Sequence, residues 1–254
     1  PVQAIILAAG KGKRLRDRRG RPKCLREVGG KSLVQHQLHA LAWAGIKDVT
    51  IVVGYQQEKV RRSVGSAARY VVNHDFAITN SMYSFLLARP HVREDVVVLN
   101  SDVFFHPRLL GRLLDAGDDA LLYDADSGDD SEHMKIRLER DRLVEMSKEM
   151  PAKHVAGENV GILRLSGETT AGVFAAARSL VEAGHPRAWL AMAINQVTAN
   201  CDIRCVDVAG TPWVEVDFPE DLDRARLDVY PAVADAIDAC ERELDDDLRL
   251  RSVS

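Results

Sequence analysis

The sequence predicts an α/β fold, in which a mostly parallel mixed sheet is flanked by helices. Short apolar runs alternate with helical patterns through the first half of the chain, which is the order of βαβ units. These runs are continuous rather than alternating, as is typical of parallel strands that are buried on both faces. A sheet of this kind has its ligand crevice at the carboxyl ends of its strands, so we expect functional residues just after strands.

The first half of the chain supplies most of this pattern. We expect strands at 4–8, 49–53, 70–73, 95–99 and 120–124, and helices at 33–44, from 57, at 81–88 and at 107–116. The strand segments are dominated by Val, Ile, Leu and Ala, whereas the helical segments repeat apolar residues every three or four positions.

The pattern changes at Lys135. Alternating residues at 135–139, a turn and a second run at 143–146 predict an antiparallel hairpin, which we interpret as a lid inserted at about 133–158. Further strands are expected at 159–165 and 203–208, and helices at 170–183, 219–227 and 233–244. We therefore predict one domain at 1–229, followed by a C-terminal helix and polar tail at 230–254.

Composition excludes several classes of protein. The chain has 254 residues, 46% of them hydrophobic, and a formal net charge of -4, so we expect a globular protein that binds neither nucleic acid nor a membrane surface. No apolar run approaches the ~20 residues that a membrane span needs. The four cysteines form no CxxC pair and are expected to be reduced core thiols, which predicts a cytoplasmic location.

The strongest local signal is a glycine-rich basic loop directly after the first strand. It reads Leu-Ala-Ala-Gly-Lys-Gly-Lys-Arg-Leu at 7–15 and is followed by Arg-Pro-Lys at 21–23. Small residues let backbone N–H groups approach an anion, and Lys and Arg add charge-assisted bonds to phosphate oxygens. The loop fits neither the dinucleotide fingerprint nor the ATPase P-loop, because Leu15 replaces a glycine of the first and Arg14 replaces the Ser or Thr of the second.

Two carboxylates follow strand-like segments. Asp102 comes after the run at 95–99, and Asp217 lies in Trp-Val-Glu-Val-Asp at 213–217, just before a predicted helix. Paired hard oxygen ligands suit Mg²⁺, which would keep waters and substrate phosphates as its other ligands. Asp102 taken alone could equally cap a turn, whereas we interpret Asp221 as a charge at the start of the helix.

The loop pattern L-A-A-G-x-G-x-R-L followed by P-K resembles the signature of the sugar-phosphate nucleotidyltransferase superfamily. The resemblance implies a single Rossmann-like domain of the GT-A-like kind that uses Mg²⁺. It implies that Arg14 and Lys23 contact the triphosphate, that Asp102 and Asp217 bind the metal, and that the loop backbone and Ser101 bind the nucleotide. The loop residues concerned are Leu7, Ala8, Ala9, Gly10 and Gly12.

The segment 73–84 resembles the N-x-x-[YF]-x-x-x-N-[NS]-x-Y-S-L stretch of phosphocholine and aminoethylphosphonate cytidylyltransferases. Within it, Asn80, Ser81 and Ser84 are implied to hydrogen-bond the base or ribose, although Asn80 or Ser81 could equally cap a helix. Gly54 and Tyr55 match a place where the family contacts the base, although Tyr55 could equally cover the edge of the core. The chain departs from the pattern at Phe85, where Leu is usual, and in its shortened, arginine-rich loop after Leu15.

The acceptor side is implied by the same resemblance. Lys148 matches the lysine after the hairpin that reaches the acceptor phosphate, and Lys135 is a second candidate for that role, although either could be a solvated charge. Glu158 and Gly161 match G-E-x-x-G-I, where the acid faces the acceptor, and Glu215 is expected to bind the acceptor beside the metal ligands.

These residues together predict a Mg²⁺-dependent transfer of CMP from CTP to the phosphate or phosphonate of a small non-sugar metabolite, with Arg14, Lys23 and Lys148 as the catalytic cations. The alternatives are a sugar-1-phosphate nucleotidyltransferase that uses another NTP, and an inactive nucleotide-binding regulatory module. An apolar stripe of Val233, Ile237, Cys240 and Leu244 would pack on a second copy in a homodimer or fold back on its own sheet.

Overall fold

A nine-stranded mixed sheet forms the centre of the fold. The computed structural model describes residues 1–15, 20–128 and 131–252. The strands are β1 (Val2–Ala8), β2 (Glu27–Val28), β3 (Lys31–Ser32), β4 (Val49–Val53), β5 (Arg69–Val72), β6 (Asp95–Asn100), β7 (Val103–Phe105), β8 (Ala120–Asp124), β9 (Lys135–Glu139), β10 (Arg142–Ser147), β11 (Gly157–Leu165), β12 (Arg204–Asp207) and β13 (Trp213–Glu215). The helices are α1 (Leu33–Trp43), α2 (Gln57–Val64), α3 (Ser81–Leu87), α4 (Arg108–Asp115), α5 (Gly167–Glu182), α6 (Leu190–Val197), α7 (Pro219–Arg224) and α8 (Tyr230–Ser252), with a π-helical turn at Ala225–Val229. None of the helices in these described ranges has the length and apolar character needed to cross a membrane.

The order of strands in the sheet is β5-β4-β1-β6-β11-β8-β12-β10-β9. The first four are mutually parallel, as the sequence predicts. The pairing directions make β10 and β11 antiparallel to the other strands of this sheet, so its second half is mixed. Alternate residues of β1 belong to different core clusters, because successive side chains of a strand point to opposite faces. Helices α1 and α4 cover one face, and α3, α5 and α6 cover the other.

The hairpin β9–β10 forms where the sequence predicts it, but it is not a separate insertion. Strand β10 pairs with β12, and β9 pairs with both β10 and β11, so the hairpin extends the edge of the main sheet. Its role as a lid stays a prediction. The strand-like segment at 213–217 contains β13, but the sequence did not predict the short strands β2, β3 and β7 or the helix α6.

The C-terminal helix packs on the chain's own fold. Val233, Ile237 and Cys240 are buried, and the first two lie in a core cluster with Leu33 and Phe104. Of the two predicted locations for this apolar stripe, the structure therefore shows the intramolecular one. A homodimer and the domain boundary at 229 stay predictions.

The turn between β2 and β3 packs against Tyr230, the first residue of α8. Gly29 and Gly30 both have positive φ, but a Cβ on Gly29 would lie 2.1 Å from the ring of Tyr230, whereas a Cβ on Gly30 meets no atom within 4 Å. We expect Gly29→Ala to lower the free energy of unfolding by about 1–3 kcal/mol more than Gly30→Ala, because both substitutions carry the left-handed strain and only the first overpacks the helix. Urea denaturation of the two variants measures this difference, and equal midpoints would contradict the packing argument.

Glu241 ties α8 to the body of the fold through an ion-pair network. It accepts hydrogen bonds from Lys31 Nζ at 2.8 Å and His39 Nδ1 at 3.1 Å. Burial opposes its charged form, but the hydrogen bonds and charges of Lys31 and His39 outweigh that effect and lower the pKa of Glu241. A lowered folded-state pKa means that the network stabilises the fold fully above the unfolded-state pKa and loses this contribution as pH falls through the folded-state pKa.

We therefore expect Glu241→Gln to reduce the free energy of unfolding at pH 7 by about 0.5–1 kcal/mol, and the difference from the parent to shrink progressively below about pH 4.5. Denaturant titrations between pH 3 and pH 7 measure it. The matched control is Asp238→Asn, which removes an exposed carboxylate from the same helix. A difference that is independent of pH would rule out the ion pairs as its cause.

Candidate active site

An open cleft of about 470 Å³ lies at the carboxyl ends of β1 and β6, where the fold class predicts the ligand crevice. Its walls are the loop after β1, the turn after β6, the start of α3 and the start of α6. Most of the predicted site residues line it: Leu7, Ala8, Ala9, Gly10, Gly12, Arg14, Lys23, Asn80, Ser81, Ser84, Ser101, Asp102, Lys148, Gly161, Glu215 and Asp217. The structure thus brings together residues from both ends of the range between Leu7 and Asp217.

The loop after β1 is supported from behind by Gly54 and Tyr55. The backbone N–H of Tyr55 donates to the Ala9 carbonyl at 3.0 Å, and a Cβ on Gly54 would lie 2.8 Å from that same oxygen. Only glycine allows this close approach of β4 to the loop. Neither Gly54 nor Tyr55 lines the cleft, so these two predicted base-binding residues hold the wall from its outer side.

The two predicted metal ligands meet because a two-stranded ribbon joins their segments. Strand β13 pairs with β7, with Glu215 opposite Val103, and the Val216 N–H donates to the backbone oxygen of Asp102 at 2.9 Å. Asp217 lies just beyond this pairing. The Asp221 carboxylate accepts the N–H groups of Asp217 and Phe218 at 2.9 and 2.8 Å, which confirms its interpretation as a helix-start residue.

Lys23 lies between the two aspartates. Its ammonium donates to Asp102 Oδ2 at 2.7 Å and to Asp217 Oδ1. Burial disfavours the charged form of Lys23, but the two carboxylates outweigh burial and raise its pKa above the ordinary value. The cation is therefore permanent at physiological pH, and it neutralises a pair of carboxylates that would otherwise repel each other.

The donor set fits a divalent metal ion. Asp102 Oδ1 is buried and has no hydrogen-bond partner among the described residues, and the two aspartates already share one cation. The described ranges contain no group of three or more His, Cys, Asp or Glu side chains that could hold a metal. Asp102 and Asp217 would therefore leave several metal ligands to be supplied by water and a substrate phosphate, which is the usual arrangement for Mg²⁺.

Glu215 is a third carboxylate beside this pair. Burial, together with the charges of Asp102 and Asp217, raises the pKa of Glu215 well above its ordinary value, while Lys23 acts in the opposite direction. The four groups thus form one electrostatic cluster with a single cation at its centre.

The start of α3 supplies a polar wall opposite the glycine-rich loop. Asn80 is the N-cap, its side chain accepting the Ser81 N–H at 2.8 Å, so the capping interpretation is confirmed. Ser81 Oγ accepts the Leu190 N–H at 2.9 Å, and Ser84 Oγ accepts from Asn73 Nδ2 at 3.0 Å. Because these side chains also line the cleft, a nucleotide-binding role stays a prediction.

A second ion-pair network crosses the mouth of the cleft. The Glu132 carboxylate lies 2.8 Å from an Arg14 guanidinium nitrogen and 3.8 Å from Lys148 Nζ. Arg14 also lies 3.8 Å from Asp217, and the Lys148 ammonium lies 4.8 Å from the ring centroid of Trp189. All three predicted catalytic cations are therefore engaged with carboxylates of the chain itself.

Two predicted acceptor-binding residues lie outside the cleft wall. Lys135 and Glu158 are buried and face each other across the β9–β11 pairing, and Lys135 Nζ donates to the Lys148 backbone oxygen at 3.1 Å. Lys135 lines an adjoining groove instead of the cleft. The predicted contact of Lys135 and Glu158 with the acceptor therefore stays a prediction.

Sequence reasoning missed several cleft residues, including Glu132, Asn100, Asn159, Phe76 and Cys24. Asn100 and Asn159 follow or lie within predicted strand segments, so the rule that sites follow strands could have found them. Burial raises the pKa of the Cys24 thiol to about 12, which makes it a protonated wall residue. No motif or periodicity marks Glu132.

Comparison with known proteins agrees with the resemblance found in the sequence. The model of the MobA-like NTP transferase domain matches residues 4–200. CMP-5'-(3-aminopropyl)phosphonate synthase of Streptomyces rubellomurinus is 42% identical over 119 residues, which are 44% of this chain and 19% of that protein. The bifunctional IPC transferase and DIPP synthase of Rubrobacter xylanophilus is 32% identical over 87% of this chain and 50% of its own length.

The chain therefore spans at most about half the length of these two curated relatives. Among solved structures, the CTP:phosphocholine cytidylyltransferase of Streptococcus pneumoniae superposes with a TM-score of 0.71 over 88% of this chain and 96% of the other, at 22% identity. That likeness shows the α/β fold. Since the family model covers more than half of the sequence, the chain belongs to the MobA-like NTP transferase domain family.

Proposed function

We propose that this protein is a Mg²⁺-dependent cytidylyltransferase that transfers CMP from CTP to the phosphate or phosphonate of a small non-sugar metabolite and releases pyrophosphate. The observation that carries the proposal is the convergence of Asp102 and Asp217 on one cation beside the glycine-rich loop. This arrangement supplies two hard ligands at the carboxyl ends of strands, with Arg14 and Lys148 close by.

Two observations support CTP and a non-sugar acceptor. The relative from Streptomyces is named for a CMP-linked aminopropylphosphonate, and the segment 73–84 resembles cytidylyltransferases for phosphocholine and aminoethylphosphonate. Asn80, Ser81 and Ser84 form the polar wall on which discrimination between bases or riboses would depend, because an ill-matched ligand leaves buried polar groups unpaired.

The acceptor has room beside the nucleotide. A groove of about 990 Å³ adjoins the cleft and shares Met134, Met146, Lys148, Trp189 and Ala191 with it. Lys148 lies at this junction, where its ammonium can bind the phosphate or phosphonate of an acceptor that lies in the groove. Phosphate and phosphonate groups are both anions that a lysine binds as a point charge.

The chemistry is an in-line attack by an acceptor oxygen on the α-phosphorus of the nucleotide. A new P–O bond forms, the bond to the β-phosphate oxygen breaks, and pyrophosphate leaves with its electron pair. No general base is needed, because a phosphomonoester has a second pKa of about 6 and is already an anion. Arg14, Lys23 and Lys148 offset the repulsion between two anionic reactants. A bound Mg²⁺, held by Asp102 and Asp217, would add charge neutralisation at the phosphates.

Pyrophosphate release tests the proposal. The protein is assayed with Mg²⁺ and CTP, UTP, dTTP, ATP or GTP, each against phosphocholine, aminoalkylphosphonates and several sugar 1-phosphates. Release with CTP and a non-sugar acceptor is the expected result. Release that requires a sugar 1-phosphate would replace the proposal with the sugar nucleotidyltransferase alternative, and metal-dependent nucleotide binding without turnover would favour the regulatory module.

Asp217→Asn should reduce kcat by about a hundredfold or more, because it removes one charge from the proposed metal site and leaves Lys23 with one carboxylate fewer. Steady-state pyrophosphate release measures the loss. Asp223→Asn, an exposed substitution in the neighbouring α7, is the matched control and should keep the parental rate. A near-normal rate for Asp217→Asn, with an unchanged melting temperature, would remove Asp217 from the mechanism.

Glu132 competes with substrate phosphates for Arg14 and Lys148. We expect Glu132→Gln to tighten binding of metal-free CTP by about three- to tenfold, because exposed ion pairs contribute about 0.2–1 kcal/mol each and this carboxylate also repels the ligand. Isothermal titration calorimetry in EDTA measures the affinity. The control is Glu149→Gln, which removes an exposed carboxylate just after the β9–β10 hairpin. Weaker binding of CTP by Glu132→Gln would show that Glu132 assists the ligand instead.

A further inference from the structure

A second cavity carries three arginines and has no part in the proposed reaction. It has a volume of about 430 Å³ and lies between the segment 89–94 and helix α5. Arg89 and Arg93 come from the segment, and Arg178 comes from the helix. We refer to this cavity as the arginine pocket.

The three arginines of the pocket are exposed, so their guanidinium groups are accessible to an anion from solution. Within the described part of the chain, none of the three guanidinium groups forms an ion pair or donates a hydrogen bond to another residue, although other arginines of the fold do. Arg164, for example, reaches Asp95 and Asp118, and Arg112 reaches backbone oxygens of the loop after β12. Glu94 is the one acidic residue that lines the pocket, so positive charge is in excess there although the whole chain has a net charge of -4.

The arginine pocket is remote from the cleft. Its residues 92–94 immediately precede β6, whereas Asn100, Ser101 and Asp102 at the other end of β6 line the cleft. A strand of six residues is about 20 Å long, so one ligand of nucleotide size cannot occupy both places. Anions bound here and in the cleft therefore occupy separate sites.

We propose that the arginine pocket is a second anion site, which binds a small organic phosphate. Arginine is suited to this ligand because its planar fork matches phosphate oxygens in a bidentate way. The floor is apolar and includes Val92, Ala171 and the buried Phe174, so an organic group attached to the phosphate has a surface to rest on. The concave shape and the volume are those of a small-molecule pocket.

The floor also makes contact with an element of the active site. Phe174 stacks on Phe85 of α3 with ring centroids 4.4 Å apart, and α3 begins at Ser81 in the cleft wall. An occupant of the arginine pocket would thus rest against the helix layer that carries the predicted nucleotide-binding side chains.

The test is isothermal titration calorimetry of the whole chain with inorganic pyrophosphate and, separately, phenyl phosphate, in EDTA at low ionic strength. The parent should bind pyrophosphate at the arginine pocket. The variant Arg89→Gln/Arg93→Gln/Arg178→Gln should lose that site, with at least about a tenfold rise in Kd, because charge-assisted bonds to phosphate are lost. Phenyl phosphate should bind the parent at the arginine pocket, and the triple variant should lose this binding as well.

The matched control is Arg62→Gln/Arg108→Gln/Arg242→Gln, which removes the same charge from exposed arginines elsewhere. It should keep the pyrophosphate site of the parent. Ala175→Asp, at an exposed position of α5 that lines the pocket, should weaken the second site without removing an arginine. An unchanged isotherm in the first triple variant, or an equal loss in the control, would overturn the proposal. Ligand binding in the cleft is measured separately, through the CTP affinity of Glu132→Gln. A failure of the proposed function therefore leaves the test of the arginine pocket intact.

Discussion

The site depends on the pairing of β7 with β13, which forces two carboxylates to share one ammonium. Asp102 and Asp217 are separated by more than a hundred residues, yet the bond from Val216 N–H to the Asp102 oxygen fixes them side by side. Two carboxylates close enough to contact the same ammonium repel each other strongly unless a cation lies between them. Lys23 supplies that cation, and the raised pKa values of Lys23 and Glu215 are two consequences of the same crowding.

The parallel strands and their order along the chain could be predicted from sequence because their information is local. Continuous apolar runs such as the one in β4 are visible without knowledge of any partner. The strands that were missed are short: β7 has three residues, and β2 and β3 have two each, which is too few for any periodicity to emerge. The pairing of β7 with β13 nevertheless positions the two aspartates.

The hairpin illustrates a second limit. The alternation at 135–139 correctly predicts an antiparallel hairpin. Whether that hairpin stands alone or joins the main sheet depends on the pairing of Arg142 with Arg204, which is more than sixty residues away in the chain. Lys135 and Glu158 are buried opposite each other where β9 pairs with β11, and the local sequence pattern cannot show this pairing. Likewise, the motif marks Lys23 and Arg14 as phosphate ligands but contains nothing about Glu132, whose position depends on the folded chain.

The charges of the cleft are matched internally. Arg14, Lys23 and Lys148 face Asp102, Asp217 and Glu132, so the chain presents no uncommitted cation of this predicted set to an incoming phosphate. On the proposed function, Lys23 can turn to a triphosphate only if Asp102 and Asp217 receive another cation in exchange, since the bare pair would repel. A triphosphate that arrives with a divalent ion provides an anion for Lys23 and a cation for the two aspartates at once. A nucleotide alone would leave the aspartates without a cation, and a divalent ion alone would leave Lys23 without an anion. On the proposed function, the ion pairs of the cleft therefore favour joint binding of metal and nucleotide over binding of either alone.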